Sequence, residues 1–175
     1  MIKSQKREYI TGFVLGFVVF IIIIPSIIYA IAQTGLFNRP LMYIDILRYL
    51  IVALLFSIGL VFMIWSNIDL FRKGKGGPTD VFNVRISPRT KVLVVTGPYR
   101  FTRNPMVFGA HSMYFAIAIL LNSIAALIFC LLFLFAIVFY LKRTEEKRLL
   151  KDFGEEYLAY KKRVPMLIPF LSVRG

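Results

Sequence analysis

The feature that most limits the fold of this chain is a long apolar run from Met106 to Leu141. At about 1.5 Å of rise per helical residue, the run is too long for one crossing of a hydrocarbon core about 30 Å thick. A polar pair, Asn122 and Ser123, falls near its middle. The run therefore predicts a tight helical hairpin that turns at this pair.

Two earlier apolar segments predict one membrane span each. The first, residues 12–32, exceeds the roughly 7–15 residues of a signal-peptide core. We interpret it as a retained span bent at Pro25, although residues 30–32 (AIA) also resemble a cleavage site. The second, residues 44–64, ends beside Trp65, a residue type common at membrane interfaces.

Composition supports an integral membrane protein, because 58% of the residues are hydrophobic and only 18% are charged. We predict an all-α, multi-pass helical bundle of about four spans, organised as a single membrane domain over residues 1–175. The N-terminal spans occupy residues 10–66, a cytoplasmic loop occupies 67–104, and the hairpin with its tail occupies 105–175. Within the loop, residues 91–96 (KVLVVT) could be extended and residues 74–78 (GKGGP) predict a flexible turn.

The net charge of +13 is placed on one side of the predicted spans. All but Arg39 and Arg48 of the 22 Lys and Arg residues fall in the N-terminus, the central loop or the tail, which four spans put on one face. The positive-inside rule makes that face cytoplasmic and favours contact with membrane lipids over nucleic acid. Cys130 predicts a small packing residue, and His111 has no ligand-spaced neighbours that would favour a metal site.

After Lys142 the chain predicts a cytoplasmic amphipathic helix with a weak point at Gly154 and an end at Pro165. Its apolar residues recur at helical spacing: Leu149, Leu150, Phe153, Tyr157, Tyr160 and Val164.

The hairpin brings two polar segments to the same membrane surface. These are GPYRFTRNP (97–105) at its entry and KRTEE (142–146) at its exit. We expect Arg103 and Arg143 to meet Glu145 and Glu146 there, with Asn104 capping the helix that Pro105 opens. Arg103 and a helix N-terminus suit an anionic cofactor group, and Glu145 with the ring face of Tyr99 or Phe101 suits a sulfonium or another cation.

Two blocks of this sequence resemble the isoprenylcysteine carboxyl methyltransferase and phospholipid methyltransferase families. The stretch TGPYRFTRNPMVFG (96–109) resembles a signature that runs roughly G-x-Y-x-x-x-R-H/N-P-x-Y-x-G. The segments RTEE (143–146) and FGEEYLAYKKRVP (153–165) resemble the C-terminal signature. The resemblance covers about the C-terminal half of the chain, from Lys91 onward.

The resemblance implies S-adenosylmethionine as the methyl donor. It implies cofactor contacts from the backbone of Lys91, Val92, Leu93 and Val94, and from Tyr99, Asn104, Pro105, Met106, Val107 and Glu145. Three positions depart from the family pattern: Asn104 stands where His is usual, Val107 where Tyr is usual, and Leu141 where a substrate-side Arg is expected. Arg143 or Lys142 could replace that arginine.

The sequence therefore predicts methyl transfer to a lipophilic or small membrane-associated acceptor, such as an isoprenylcysteine-like carboxylate, a lipid or a thiol. Positioning can supply most of the rate, and Arg143, Glu145 and Glu146 are the candidate catalytic residues. An amine or phenol acceptor needs a general base, for which Glu145 or Glu146 is suited. The alternatives are an NADPH-dependent enzyme of the sterol-reductase type and a non-catalytic, lipid-binding scaffold.

Overall fold

The structure is a computed structural model that describes residues 14–37, 39–74, 80–81, 84–85 and 90–169. It contains five α-helices and a short antiparallel pair, β1 (Asp80–Val81) with β2 (Val84–Arg85). The helices are α1 (Val14–Gln33), α2 (Asp45–Gly74), α3 (Pro105–Leu120), α4 (Ile124–Arg143) and α5 (Glu145–Arg163). The N-terminal basic residues and residues 75–78 lie outside the described residues.

Three helical runs are long and apolar enough to cross a membrane: Val14–Gln33, Asp45–Gly74 and Ile124–Arg163. The 16-residue α3 is shorter but equally apolar and is the fourth member of the bundle. The helical membrane bundle predicted from the sequence is therefore confirmed. Small or aliphatic side chains fill its centre, and the most deeply buried are Ile28, Ala118, Ala126 and Cys130. Cys130 is thus a packing residue, as predicted.

The hairpin turn is confirmed and is fixed by Asn122. This residue has a positive φ of 52°, a conformation that Asn tolerates better than most residues. Its side chain accepts a hydrogen bond from the Met42 N–H at 2.8 Å and donates one to the Met42 carbonyl at 3.0 Å. Ser123 caps α4 by accepting from the Ala126 N–H. The turn is therefore tied to the loop between α1 and α2.

Helix α1 is irregular just before Pro25, where Val18–Ile23 form a π-helical segment. The Ile24 N–H bonds to the Val19 carbonyl, and Pro25 has no N–H to offer the Phe20 carbonyl. The Tyr114 hydroxyl donates to that carbonyl at 2.9 Å. This bond from α3 satisfies a backbone group that lipid could not, so it stabilises the packing of α1 on the hairpin.

Helices α2 and α3 cross at two glycines. A Cβ atom on Gly59 would lie 2.6 Å from the Gly109 carbonyl oxygen, and one on Gly109 would lie 2.7 Å from the Gly59 carbonyl oxygen. Small residues allow this close approach of membrane helices, where van der Waals contact drives packing. The crossing fixes the start of α3, and with it the signature segment, against α2.

One boundary prediction was wrong. Helix α2 continues past residue 64 to Gly74, so residues 67–74 are helical and do not belong to the loop. Polar residues do not end a helix that leaves the membrane, and Asn67 bonds back to the Met63 carbonyl at 2.8 Å. Residues 91–96, which could be extended according to the sequence, belong to no assigned strand in the described part of the chain, and the Lys91 N–H caps α2 through the Gly74 carbonyl.

Candidate active site

The signature segment is joined to the chain that follows α5. The Arg103 backbone N–H donates to the Pro165 carbonyl at 2.9 Å. The Met166 carbonyl accepts from the Thr102 hydroxyl at 3.2 Å and from the Asn104 amide at 2.9 Å. Thr102 is fully buried. Part of the polarity of GPYRFTRNP therefore serves to hold the C-terminal segment against the start of α3.

Arg103 is the centre of this connection. Its Nε donates to the Val164 carbonyl at 3.0 Å, and its Nη1 donates to the Tyr157 hydroxyl at 3.1 Å and pairs with the Glu146 carboxylate. Its side chain is only 9% exposed. The prediction that Arg103 meets the acidic pair is confirmed, and its guanidinium joins the two signature blocks.

The two glutamates at the start of α5 have different surroundings. Burial alone would raise the pKa of Glu146, but the Lys161 hydrogen bond and the Arg103 charge together lower that pKa. Glu146 is therefore held ionised, and its oxygens are already bonded to Arg103 and Lys161. Glu145 is more exposed and pairs with Arg148 at 3.4 Å.

Tyr99 is a buried residue on which the charge of Glu145 acts. Burial, followed by the charge of Glu145, raises the pKa of Tyr99 well above its usual range. Its carbonyl accepts from the buried Tyr160 hydroxyl at 2.6 Å. Tyr99 and Glu145 are thus brought together, as the sequence predicted, and Tyr160 of α5 fixes the turn that carries Tyr99.

The C-terminal part of α2 also supports the turn that carries Tyr99. Lys73 bonds to the Asp69 carboxylate at 2.8 Å and to the Thr96 hydroxyl at 2.9 Å. Gly97 has φ +60°, and a Cβ atom there would lie 2.9 Å from Asp69 Cγ and 3.1 Å from Trp65 Nε1. Only glycine fits this approach, so the 3₁₀ turn Gly97–Arg100 is seated directly on α2.

The start of α3 is built differently from the prediction. Asn104 occupies the N-cap position, but its side chain makes no capping hydrogen bond because its amide donates to Met166. Predicting a side-chain cap at Asn104 was therefore wrong. The first-turn N–H groups of Met106 and Val107 have no acceptor within the helix, and Pro105 has no N–H. This helix end therefore presents N–H groups that could donate hydrogen bonds to an anion.

Four other predicted residues lie next to the site. Leu93 and Val94 are buried, and Leu93 packs with Tyr157 and Tyr160 of α5. Lys91 and Val92 are exposed. Lys91 lies beside the end of α2, where its N–H donates to the Gly74 carbonyl, and Leu93 lies against α5.

Arg143 and Lys142 are exposed, and the Arg143 guanidinium lies 4.6 Å from the centre of the Phe139 ring. The expectation that Arg143 meets Glu145 or Glu146 was wrong, because these carboxylates pair with Arg148, Arg103 and Lys161. On α5, Leu150 is 42% exposed and does not join the other apolar residues of that helix, which pack as predicted.

Several residues of the site were not identified from the sequence. Asp69 and Lys73 were assigned to a loop, although their i,i+4 spacing is a helical signal. The carbonyl groups of residues 164–166 carry no sequence signal at all, since any residue supplies one. Among the described residues, no group of three or more His, Cys, Asp or Glu side chains could hold a metal ion.

The fold and this cluster define a helical membrane protein with a polar site at one end of a helical hairpin. The model of the phospholipid methyltransferase family matches residues 47–156. The match covers more than half of the chain and includes α3, α4 and the signature segment. The chain belongs to the phospholipid methyltransferase family.

Individual proteins match over a shorter stretch. The protein-S-isoprenylcysteine O-methyltransferases of mouse and human are each 39% identical over 88 residues, which is 47% of this chain. That stretch is 29% of the length of each relative, so the chain spans less than a third of the length of each relative.

Proposed function

We propose that this chain transfers a methyl group from S-adenosylmethionine to a lipophilic acceptor at the membrane surface. The observation that carries the proposal is the joining of two sequence-distant signature blocks, through Arg103 and Glu146, at one end of the hairpin. A membrane anchor does not require this connection. Membership of a methyltransferase family favours methyl transfer over the reductase and scaffold alternatives.

The start of α3 fits the carboxylate of the cofactor. The N–H groups of Met106 and Val107 are free of intrahelical partners, and the Asn104 side chain does not cap them. Helix N-termini bind anions through such groups and through the helix dipole. Asn104, Pro105, Met106 and Val107 are therefore the residues that we assign to this end of the cofactor.

Glu145 and Tyr99 fit the positive end. When bound, the sulfonium of the cofactor supplies a methyl group that is electrophilic. The pKa of Tyr99 is raised first by burial and then by the charge of Glu145, so a carboxylate and an aromatic ring lie in the same part of the site. Both attract a sulfonium. The backbone of residues 91–94, a segment whose Leu93 side chain packs with Tyr157 and Tyr160 of α5, would complete the cofactor site.

Arg103 and Glu146 act as positioning residues in this proposal. Each already has protein partners on more than one atom, and Glu146 is held ionised by Lys161 and Arg103. A carboxyl group with a lowered pKa is a weak base, so Glu145 is the better general base for a protic acceptor. Arg143 is exposed on α4 and could contact the head group of an approaching lipid acceptor.

A lipophilic acceptor suits a site that lies at the end of membrane helices. The relatives carry the name of enzymes that methylate isoprenylcysteine, and this carboxylate is one candidate. A lipid and a thiol are the others. The excess of Lys and Arg on the side of the site supports a cytoplasmic orientation.

The test is incubation of the purified protein, in native lipids and thiols, with isotope-labelled S-adenosylmethionine, followed by mass spectrometry. We expect the label in a lipophilic product, and a Glu145→Gln variant should lose most of it while keeping its thermal unfolding. Lys147→Gln, at an exposed position on the same helix turn, is the matched control. Absence of labelled product from folded protein across lipid, prenylcysteine and thiol acceptors would contradict the proposal.

A further inference from the structure

His111 is a buried polar residue that the proposed site does not use. It lies on α3 and is 5% exposed. Its Nδ1 is 2.9 Å from the Val107 carbonyl oxygen, and its Nε2 is buried with no hydrogen-bond partner among the described residues. An unpaired polar atom inside a membrane bundle is costly, so the position calls for a partner that the protein itself does not supply.

The geometry fixes what that partner must be. A carbonyl oxygen only accepts, so Nδ1 carries the proton that is donated to Val107. In the neutral ring Nε2 then has a lone pair and no proton. Its partner must therefore donate, through an O–H, N–H or S–H group.

The neighbouring residues do not supply this donor. The Phe133 ring of α4 stacks on the imidazole at 5.3 Å, and the Tyr114 ring meets it edge-on at 5.5 Å. The Tyr114 hydroxyl is already donated to the Phe20 carbonyl at 2.9 Å. Nε2 therefore lies in a largely aromatic surrounding formed by the two helices of the hairpin, with no hydrogen-bond donor to it among the described residues.

His111 also lies on the face of α3 that leads to the proposed cofactor site. It is four residues after Val107 and seven after Asn104, two spacings that share one helix face. The six residues from Pro105 place it about 9 Å deeper along the helix axis. A lipophilic molecule that lies between α3 and α4 would bring its polar group to His111 on the same face of α3 as the residues assigned to the cofactor.

We propose that His111 Nε2 accepts a hydrogen bond from a protic group of the methyl acceptor, such as a thiol, an amine or a hydroxyl. This inference rests on the proposed function and narrows its acceptor. A bare carboxylate offers no such donor and leaves Nε2 unpaired. His111 is then a specificity residue that favours protic lipophilic acceptors over a carboxylate.

The chain contains a single histidine, so its imidazole gives unambiguous signals in ¹⁵N-histidine-labelled protein. The experiment uses the full chain in lipid nanodiscs with dodecanethiol or dodecylamine, and with dodecyl methyl sulfide and dodecanoate at alkaline pH as matched probes without a donor. We expect the unprotonated Nε2 resonance to move upfield with the thiol or the amine and to stay in place with the other two. No displacement with either protic probe, or equal displacement with all four, would overturn the inference.

Variants provide a second readout. His111→Phe keeps an aromatic ring but removes the lone pair, and His111→Gln restores an acceptor atom at similar reach. For whichever protic probe is methylated, His111→Phe should lower kcat/KM by roughly tenfold, the worth of one buried hydrogen bond, with partial recovery in His111→Gln. Phe135→Leu, at a 73% exposed position of α4, should change nothing. An unchanged kcat/KM in His111→Phe contradicts the inference.

Binding of S-adenosylhomocysteine separates the two proposals. The His111 variants should bind it like the wild type, since His111 lies away from the residues assigned to the cofactor. If it binds and Nε2 does not respond, only the role of His111 fails. If the wild type does not bind it, the proposed function fails, and a response of Nε2 would then report a lipid site of another kind.

Discussion

Arg103 offers the sharpest test of how the two signature blocks are joined. Arg103→Met keeps the side-chain length and removes the guanidinium, which leaves Glu146 charged and 12% exposed with Lys161 as its remaining partner. The Val164 carbonyl also loses its donor. Breaking a buried ion pair from one side costs about 3–5 kcal/mol, and the retained Lys161 places this variant near 3 kcal/mol.

A loss of this size should lower the midpoint of thermal unfolding by roughly 6–12 °C for a chain of this length. The single tryptophan, Trp65, lies 6.3 Å from the Phe101 ring and reports directly on the signature segment by fluorescence. Arg100→Met is the matched control, because Arg100 is exposed and its guanidinium lies over the Phe101 ring, 4.5 Å from the ring centre. Arg100→Met should lower the free energy of unfolding by no more than about 1 kcal/mol.

The reasoning also predicts the double variant. Adding Glu146→Gln to Arg103→Met removes the Glu146 charge that has lost its arginine partner. The stability loss of the double variant should therefore be clearly smaller than the sum of the losses of the two single variants. Equal midpoints for Arg103→Met and Arg100→Met, or strict additivity in the double variant, would refute the role given to the ion pair.

Three further predictions concern packing, the hairpin turn and pH. Gly59→Ala should destabilise by about 1–3 kcal/mol because its Cβ meets the α3 backbone, whereas Gly16→Ala faces open space and should be neutral or stabilising; equal thermal midpoints would contradict the glycine crossing. Asn122→Ala should cost about 2 kcal/mol by losing both bonds to the Met42 backbone, and Asn122→Gly somewhat less because it relieves the positive φ; a neutral Asn122→Ala in thermal unfolding would exclude the clamp. The pKa of Glu146 is lowered in the folded state, so its contribution to folding stability should be complete above the usual carboxyl pKa of about 4.3 and disappear as the pH falls below it. The pKa of Tyr99 is raised in the folded state, so stability should be lost as the pH rises above about 10. A thermal midpoint that does not change with pH across both limits would contradict these assignments.

Much of the membrane fold follows from patterns that the sequence displays. The apolar run from 106 to 141 is too long for one span and contains a polar pair at its centre, so length alone dictates the hairpin. The amphipathic spacing after Lys142 predicts α5. The end of α2 was not predictable from composition, because a helix that leaves the membrane changes its residues without changing its backbone.

The site was predictable where opposite charges must meet and not where the backbone is the partner. Arg103 and Glu146 pair because the hairpin ends converge. The carbonyls of 164–166 are reached only through the three-dimensional path of the chain after α5. The Asn104 side chain does not cap α3 for the same reason, because its amide donates to the Met166 carbonyl instead. His111 was dismissed for lack of metal-ligand neighbours, and only the structure reveals its unpaired nitrogen.

The most direct test of the central claim is isothermal titration of S-adenosylhomocysteine into the purified protein. If α3 and the start of α5 form one cofactor site, the wild type binds, and Glu145→Gln and Asn104→Ala each weaken binding by roughly fivefold or more, while the exposed Lys147→Gln does not. Folded wild-type protein that releases no heat of binding, or variants at both helices that bind as the wild type does, would contradict the claim.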